Sequence, residues 1–179
     1  MWFYSKSYEI TLKCGTPLLF TPVQRKKTVE KNKEYVVIHV SCIQDPNKIL
    51  LIHKDRPEWQ KGRINYVGGK VEVGESYQEA AFRELKEETG ISVDSMSFCG
   101  LIKGCGFVVH CFSCQVDGTQ EICPREGETE LVEWCCIEDV VKDPKLMDNL
   151  KIIIPLIRFG ISSWRLKEVT ERDWVVLFD

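Results

Sequence analysis

The stretch GGKVEVGESYQEAAFRELKEETGI, Gly68 to Ile91, places Glu84, Glu87 and Glu88 within five residues, with Arg83 directly before them. Carboxylates this close repel one another unless something holds them together. Protonation would require large upward pKa shifts, whereas a divalent cation that prefers oxygen ligands removes the repulsion and keeps the groups useful. Magnesium, or manganese, is the natural candidate. Gly68 and Gly69 precede the acids, and a residue without Cβ lets a backbone carbonyl or a phosphate oxygen approach closely. Lys70 adds a cation beside them. A metal held by acids and open to a phosphate chain implies hydrolysis or transfer at phosphorus.

A helix must position these side chains. Ser76-Tyr77-Gln78-Glu79 is a capping box, in which each side chain satisfies a free amide at a helix start, and Gly90 supplies the stop, so the helix is predicted over Tyr77 to Thr89. At about 100° per residue, Tyr77, Ala80, Ala81 and Leu85 share one face, and Glu84, Glu87 and Glu88 fall in the same broad sector. Glu79 and Lys86 lie nearly opposite. A solvated charged face would set its glutamates against the alanines and alternate signs, so the acids are read as turned inward.

The rest of the chain supplies the frame. EYVVIHVSCI (Glu34 to Ile43) and KILLIHK (Lys48 to Lys54) read as a strand pair across the Asp45 to Asn47 turn. A polar connection, Asp55 to Tyr66, leads to the glycines. SFCGLIKGCGFVVHCFSCQV suggests two more strands, TELVEWCCI another, NLKIIIPLIRFG a late helix, and SWRLKEV with WVVLFD a hairpin. Strands with interspersed helices indicate an α/β or α+β layered domain. Residues 1–33 form a strand-like extension followed by the basic loop QRKKTVEKNK, residues 34–160 the main domain, and residues 161–179 a C-terminal hairpin packed on it.

The 179 residues, 44% of them hydrophobic, suit one domain with a substantial core, and a net charge of -3 argues against binding nucleic acid by bulk electrostatics. No apolar run is long enough to span a bilayer, and the chain reads as a cytoplasmic protein, monomer or homodimer, with no membrane partner. Nine cysteines, an odd number scattered along the chain, read as reduced thiols. The Cys111-x-x-Cys114 pair beside His110 has a zinc-like spacing, but it lies in a predicted strand, where positions three apart point to opposite faces.

With the pattern G-x5-E-x7-R-E-U-x-E-E-x-G-U filled at Gly69, Glu75, Arg83, Glu84, Leu85, Glu87, Glu88, Gly90 and Ile91, the chain resembles a Nudix hydrolase of the MutT type. The resemblance implies an α/β/α sandwich around a mixed sheet and attack by water on a nucleoside diphosphate linked to another group. It implies that the Gly68 carbonyl, Glu87 and Glu88 bind magnesium, that Glu84 is a further ligand or the base, that Arg83 orients Glu84, and that Glu75 either stands just outside the metal's own ligands or is structural. A later loop commonly supplies one more glutamate. PREGETELVEW offers Glu126, Glu128 and Glu130, with Glu126 or Glu128 preferred.

The entry GRINYVGGKVEVGE is similar to that of enzymes removing oxidised purine nucleotides, which implies base contact by Asn65, and MDNLKIIIPLI resembles their base-facing helix, with Asp148 and Asn149 at its start. Lys54, Gly69 and Lys70 are assigned to substrate, and Trp59 to stacking on a purine. The expected activity is cleavage of nucleoside triphosphates, including oxidised purine nucleotides, to monophosphate and pyrophosphate. ADP-ribose or another nucleoside diphosphate derivative, and capped RNA, are the alternatives; a non-catalytic binding protein would normally carry a degraded motif, and this one is intact.

Overall fold

The structure, a computed structural model, describes residues 32–168 and 174–178. The basic loop QRKKTVEKNK and the strand-like segment before it therefore lie outside the described residues, apart from Asn32 and Lys33.

One mixed eight-stranded sheet organises the domain. Its strands are β1 (Lys33–Cys42), β2 (Lys48–His53), β3 (Ile64–Asn65), β4 (Ser97–Gly104), β5 (Phe107–Val116), β6 (Leu131–Cys136), β7 (Trp164–Glu168) and β8 (Trp174–Phe178). They run in the order β3-β2-β1-β5-β4-β7-β8, with β6 also paired to β2. The β1–β5 and β4–β7 pairs are parallel and the others antiparallel. Helix α1 (Tyr77–Thr89) covers one face; α2 (Ile137–Val140) and α3 (Leu150–Arg158) cover the other.

Burial on both faces explains the continuous apolar runs. Val36, Ile38 and Val40 of β1 pack with Ala80, Ala81 and Leu85 of α1, whereas Ile49 and Leu51 of β2 pack with Leu150, Ile153 and Ile154 of α3. Each of these Val, Leu and Ile side chains removed from water stabilises the fold by about 1.5–3 kcal/mol. Cys111 and Cys114 divide between the two cores, Cys111 towards α3 and Cys114 towards α1, so no zinc turn exists there.

The predicted start of α1 holds in detail: Ser76 Oγ accepts the Glu79 amide at 3.2 Å while Glu79 Oε2 accepts the Ser76 amide at 2.7 Å. Gly90 ends the helix in the left-handed conformation. One residue departs from the predicted apolar face. Tyr77 is 42% exposed, and its ring stacks on His110 at a centroid separation of 3.5 Å. It occupies the first turn, beyond the edge of the core that Ala80 begins.

Between β3 and α1 the chain lies antiparallel beside β1. The amides of Val36 and Ile38 donate to the carbonyls of Gly69 and Val67, each at 2.9 Å. At the sheet edge, Ile64 bridges Leu146, which brings the segment before α3 against β3.

Candidate active site

Helix α1 presents its acids where the sheet, the Val67–Lys70 segment and the loop before β6 meet. Glu88 is buried and accepts the Gly68 amide at 2.7 Å. Lys54, at the end of β2, reaches Glu88 at 3.6 Å and also pairs with Glu130. Loss of hydration pushes the Glu88 carboxyl up to about 7, and Lys54 and the Gly68 amide offset only part of that effect. Burial likewise raises Glu84.

Arg83 ties the cluster together. It grips Glu75 with two bonds, at 3.1 and 2.7 Å, donates to Glu84 at 2.8 Å, and donates to the Lys70 carbonyl at 3.0 Å. Its longer contact to Glu87 is 3.4 Å. The 121–130 segment closes the other side, with Arg125 pairing to Glu87 at 2.8 Å.

The two glycines are required by contact. Gly68 has φ +145°, and a Cβ there would strike the Val36 carbonyl. A Cβ on Gly69 would lie 2.5–2.7 Å from the Glu84 carboxylate. The backbone thus approaches the acids more closely than any side chain would allow.

Among the described residues no three His, Cys, Asp or Glu side chains converge on a single point. Each acid is drawn instead onto an amide or a cation of the chain itself. The donor set nevertheless fits a hard divalent cation: its ligands are all oxygen, and two carboxylates are raised by burial with incomplete compensation.

Sequence reasoning preferred Glu126 or Glu128 as the distal acid, and the structure sets the three candidates apart by burial and partners. Glu128 turns to Arg56 at 3.1 Å and Glu126 is exposed. Glu130 is the buried one, accepting the amides of Asp55 and Arg56 at 2.9 and 3.3 Å besides pairing with Lys54. It directly precedes β6, and its bonds to Lys54, Asp55 and Arg56 place it at the end of β2. Lys54 accordingly stands among the acids. Lys70 is exposed beside Gly69.

The expected base contacts gather at the β3 edge. Asn65 donates to Gln60 at 3.3 Å, and its Oδ1 accepts the Tyr66 amide at 2.8 Å. Asp148 pairs with Arg63 at 3.5 Å and with Lys151 at 3.2 Å. Asn149 occupies the N-cap of α3 but makes no capping bond, and its Oδ1 is buried without a partner. Trp59 lies on a short 3-10 turn, Glu58–Gln60, and is 69% exposed.

The NUDIX domain family matches residues 33–157. An oxidized purine nucleoside triphosphate hydrolase of Mus musculus is 37% identical over 106 residues, 55% of this chain and 64% of that protein. An ADP-ribose pyrophosphatase of Bacillus subtilis is 26% identical over 139 residues, 75% of this chain and 74% of that protein. The chain spans just under two-thirds of the mouse protein's length. Among solved structures, a MutT protein from Bacillus halodurans superposes with a TM-score of 0.63 at 21% identity, covering 80% of this chain and 97% of that one, a likeness of fold.

Proposed function

The chain belongs to the NUDIX domain family, and on that premise we propose that it is a magnesium-dependent pyrophosphohydrolase of nucleoside triphosphates, with oxidised purine nucleotides as the favoured class. The observation that carries this reading is the packing of buried Glu88 and half-buried Glu84 against Gly68 and Gly69, where the carboxylates lie beside a backbone that a phosphate can approach. Glu84, Glu87 and Glu88, with Gly68 and the distal Glu130, would hold magnesium or manganese. When bound, the metal supplies Lewis-acid stabilisation of the phosphates and lowers the pKa of the attacking water.

The chain's own groups do the remaining work. Arg83 fixes the Glu84 carboxylate, leaving Glu84 as a ligand or as the base that accepts the proton of water. Glu75 anchors Arg83. Lys54 moderates the charge of Glu88 and Glu130, and Lys70 stands beside the phosphate approach. Asn65, Asp148 and Asn149 address the base edge, and Trp59 stacks on the ring. The uncapped amide oxygen of Asn149 favours this assignment, since a residue serving only as a cap would use it on the helix amides. The mouse relative's name points the same way.

The test is a panel of normal and oxidised nucleoside triphosphates, ADP-ribose and capped RNA, assayed with magnesium and compared by kcat/KM. The triphosphates, led by an oxidised purine, are expected to exceed the others. A preference for ADP-ribose or the cap would replace this reading with one of its alternatives.

A further inference from the structure

Arg125 meets Glu87 twice. Its backbone amide donates to the Glu87 carbonyl at 2.8 Å, and its guanidinium donates to the Glu87 carboxylate, also at 2.8 Å. The Cys123 amide donates to the Thr89 carbonyl at 2.9 Å, so the loop is fastened across the last turn of α1 and Arg125 is carried to Glu87 by backbone bonds that any side chain would keep.

Two of the cations that pair with the acids, Lys54 and Arg125, differ in kind. The Lys54 side chain is 12% exposed and lies between two carboxylates. That of Arg125 is 61% exposed and faces Glu87. The other guanidinium on Glu87, that of Arg83, is at 3.4 Å and is shared with Glu75, Glu84 and the Lys70 carbonyl. Exposed ion pairs move an equilibrium by no more than about fivefold, so this contact is readily given up to a multivalent cation.

We propose that Arg125 is a displaceable counter-cation: it holds the Glu87 carboxylate in the free protein and yields it when a divalent cation arrives, which weakens the site's affinity for free metal. The proposal rests on the reading of Glu87 as a metal ligand. Arg125 thereby tunes the site without forming part of it. Its removal leaves the loop attached and the carboxylate with only the longer, shared contact to Arg83.

The test is binding of Mn2+ alone, followed by the electron paramagnetic resonance of free Mn2+, for the intact chain and for Arg125→Gln, Glu87→Gln and the double variant. Arg125→Gln is expected to bind about two- to fivefold more tightly, and the double variant no more tightly than Glu87→Gln. If Glu87→Gln weakens binding while Arg125→Gln leaves it unchanged or weaker, the inference is overturned and the metal reading stands. If Mn2+ binding is absent or indifferent to Glu87, the metal reading falls and takes the inference with it.

Discussion

The amide of Gly68 donates to Oε2 of Glu88 at 2.7 Å, a contact spanning 20 positions of sequence that joins the glycine pair to the acid face of α1. It fixes a buried carboxylate at the point where the backbone comes closest to the cluster.

Glu88→Gln keeps an acceptor for that amide and loses only the charge. Lys54 retains Glu130 as its partner, so the fold should persist. Turnover at saturating magnesium should fall by at least about a hundredfold, because a charged ligand supports both metal affinity and the transition state. Near-normal rates in both Glu88→Gln and Glu87→Gln would remove the metal assignment.

The neighbouring glycines should respond differently to alanine. At Gly69 the added Cβ meets the side-chain end of Glu84 and no backbone, so the fold should survive while kcat/KM drops by about a hundredfold through displacement of that carboxylate. At Gly68 it meets the Val36 backbone at a positive φ, so stability itself should fall by about 1–3 kcal/mol or more. Thermal unfolding and kinetics on both variants separate the two effects.

His39 gives a pH dependence remote from the acids. It is buried, its Nδ1 lies 2.7 Å from the Tyr66 hydroxyl, and burial lowers its pKa to about 4. The unfolded chain binds a proton at this residue below about pH 6.5, while the folded chain does not until about pH 4. The stability contributed by this group should therefore be lost as pH falls through that window, by about 3 kcal/mol, while the raised Glu88 carboxyl acts in the opposite sense. In denaturant titrations at pH 7 and pH 4.5 the stability of His39→Gln relative to the intact chain should rise at the lower pH; an unchanged difference would place the acid sensitivity elsewhere.

Asn149 and Trp59 separate base readout from stacking. Asn149→Ala should alter the ratio of kcat/KM between an oxidised and a normal guanine nucleotide, with little loss of helix stability, since no capping bond is removed. Trp59→Ala should weaken all purine nucleotides alike, by about 1–3 kcal/mol. Equal losses for every base in the Asn149 variant would leave that residue no part in recognition.

Much of this arrangement was legible in the sequence because it is local. The capping box, the Gly90 stop and the period of α1 fixed which way Glu84 and Glu88 turn, and the apolar runs marked β1, β2, β4, β5 and β6. What escaped depends on partners distant in sequence. Glu126, Glu128 and Glu130 look alike on paper, and only the pairing of β6 with β2 decides that Glu130 meets Lys54. Arg125 carried no pattern, since an arginine in a polar loop is ordinary until the loop is seen fastened to α1. The parallel pairing of β7 with β4 also had no local signal.

The most direct measurement follows the bond that breaks. With magnesium and a purine nucleoside triphosphate in water enriched in oxygen-18, the account predicts nucleoside monophosphate and pyrophosphate as the products, in equal amounts, with the label entering one of them. Orthophosphate released from the γ position as the main product, or no turnover of any triphosphate by a protein that binds Mn2+ through Glu87, would contradict it.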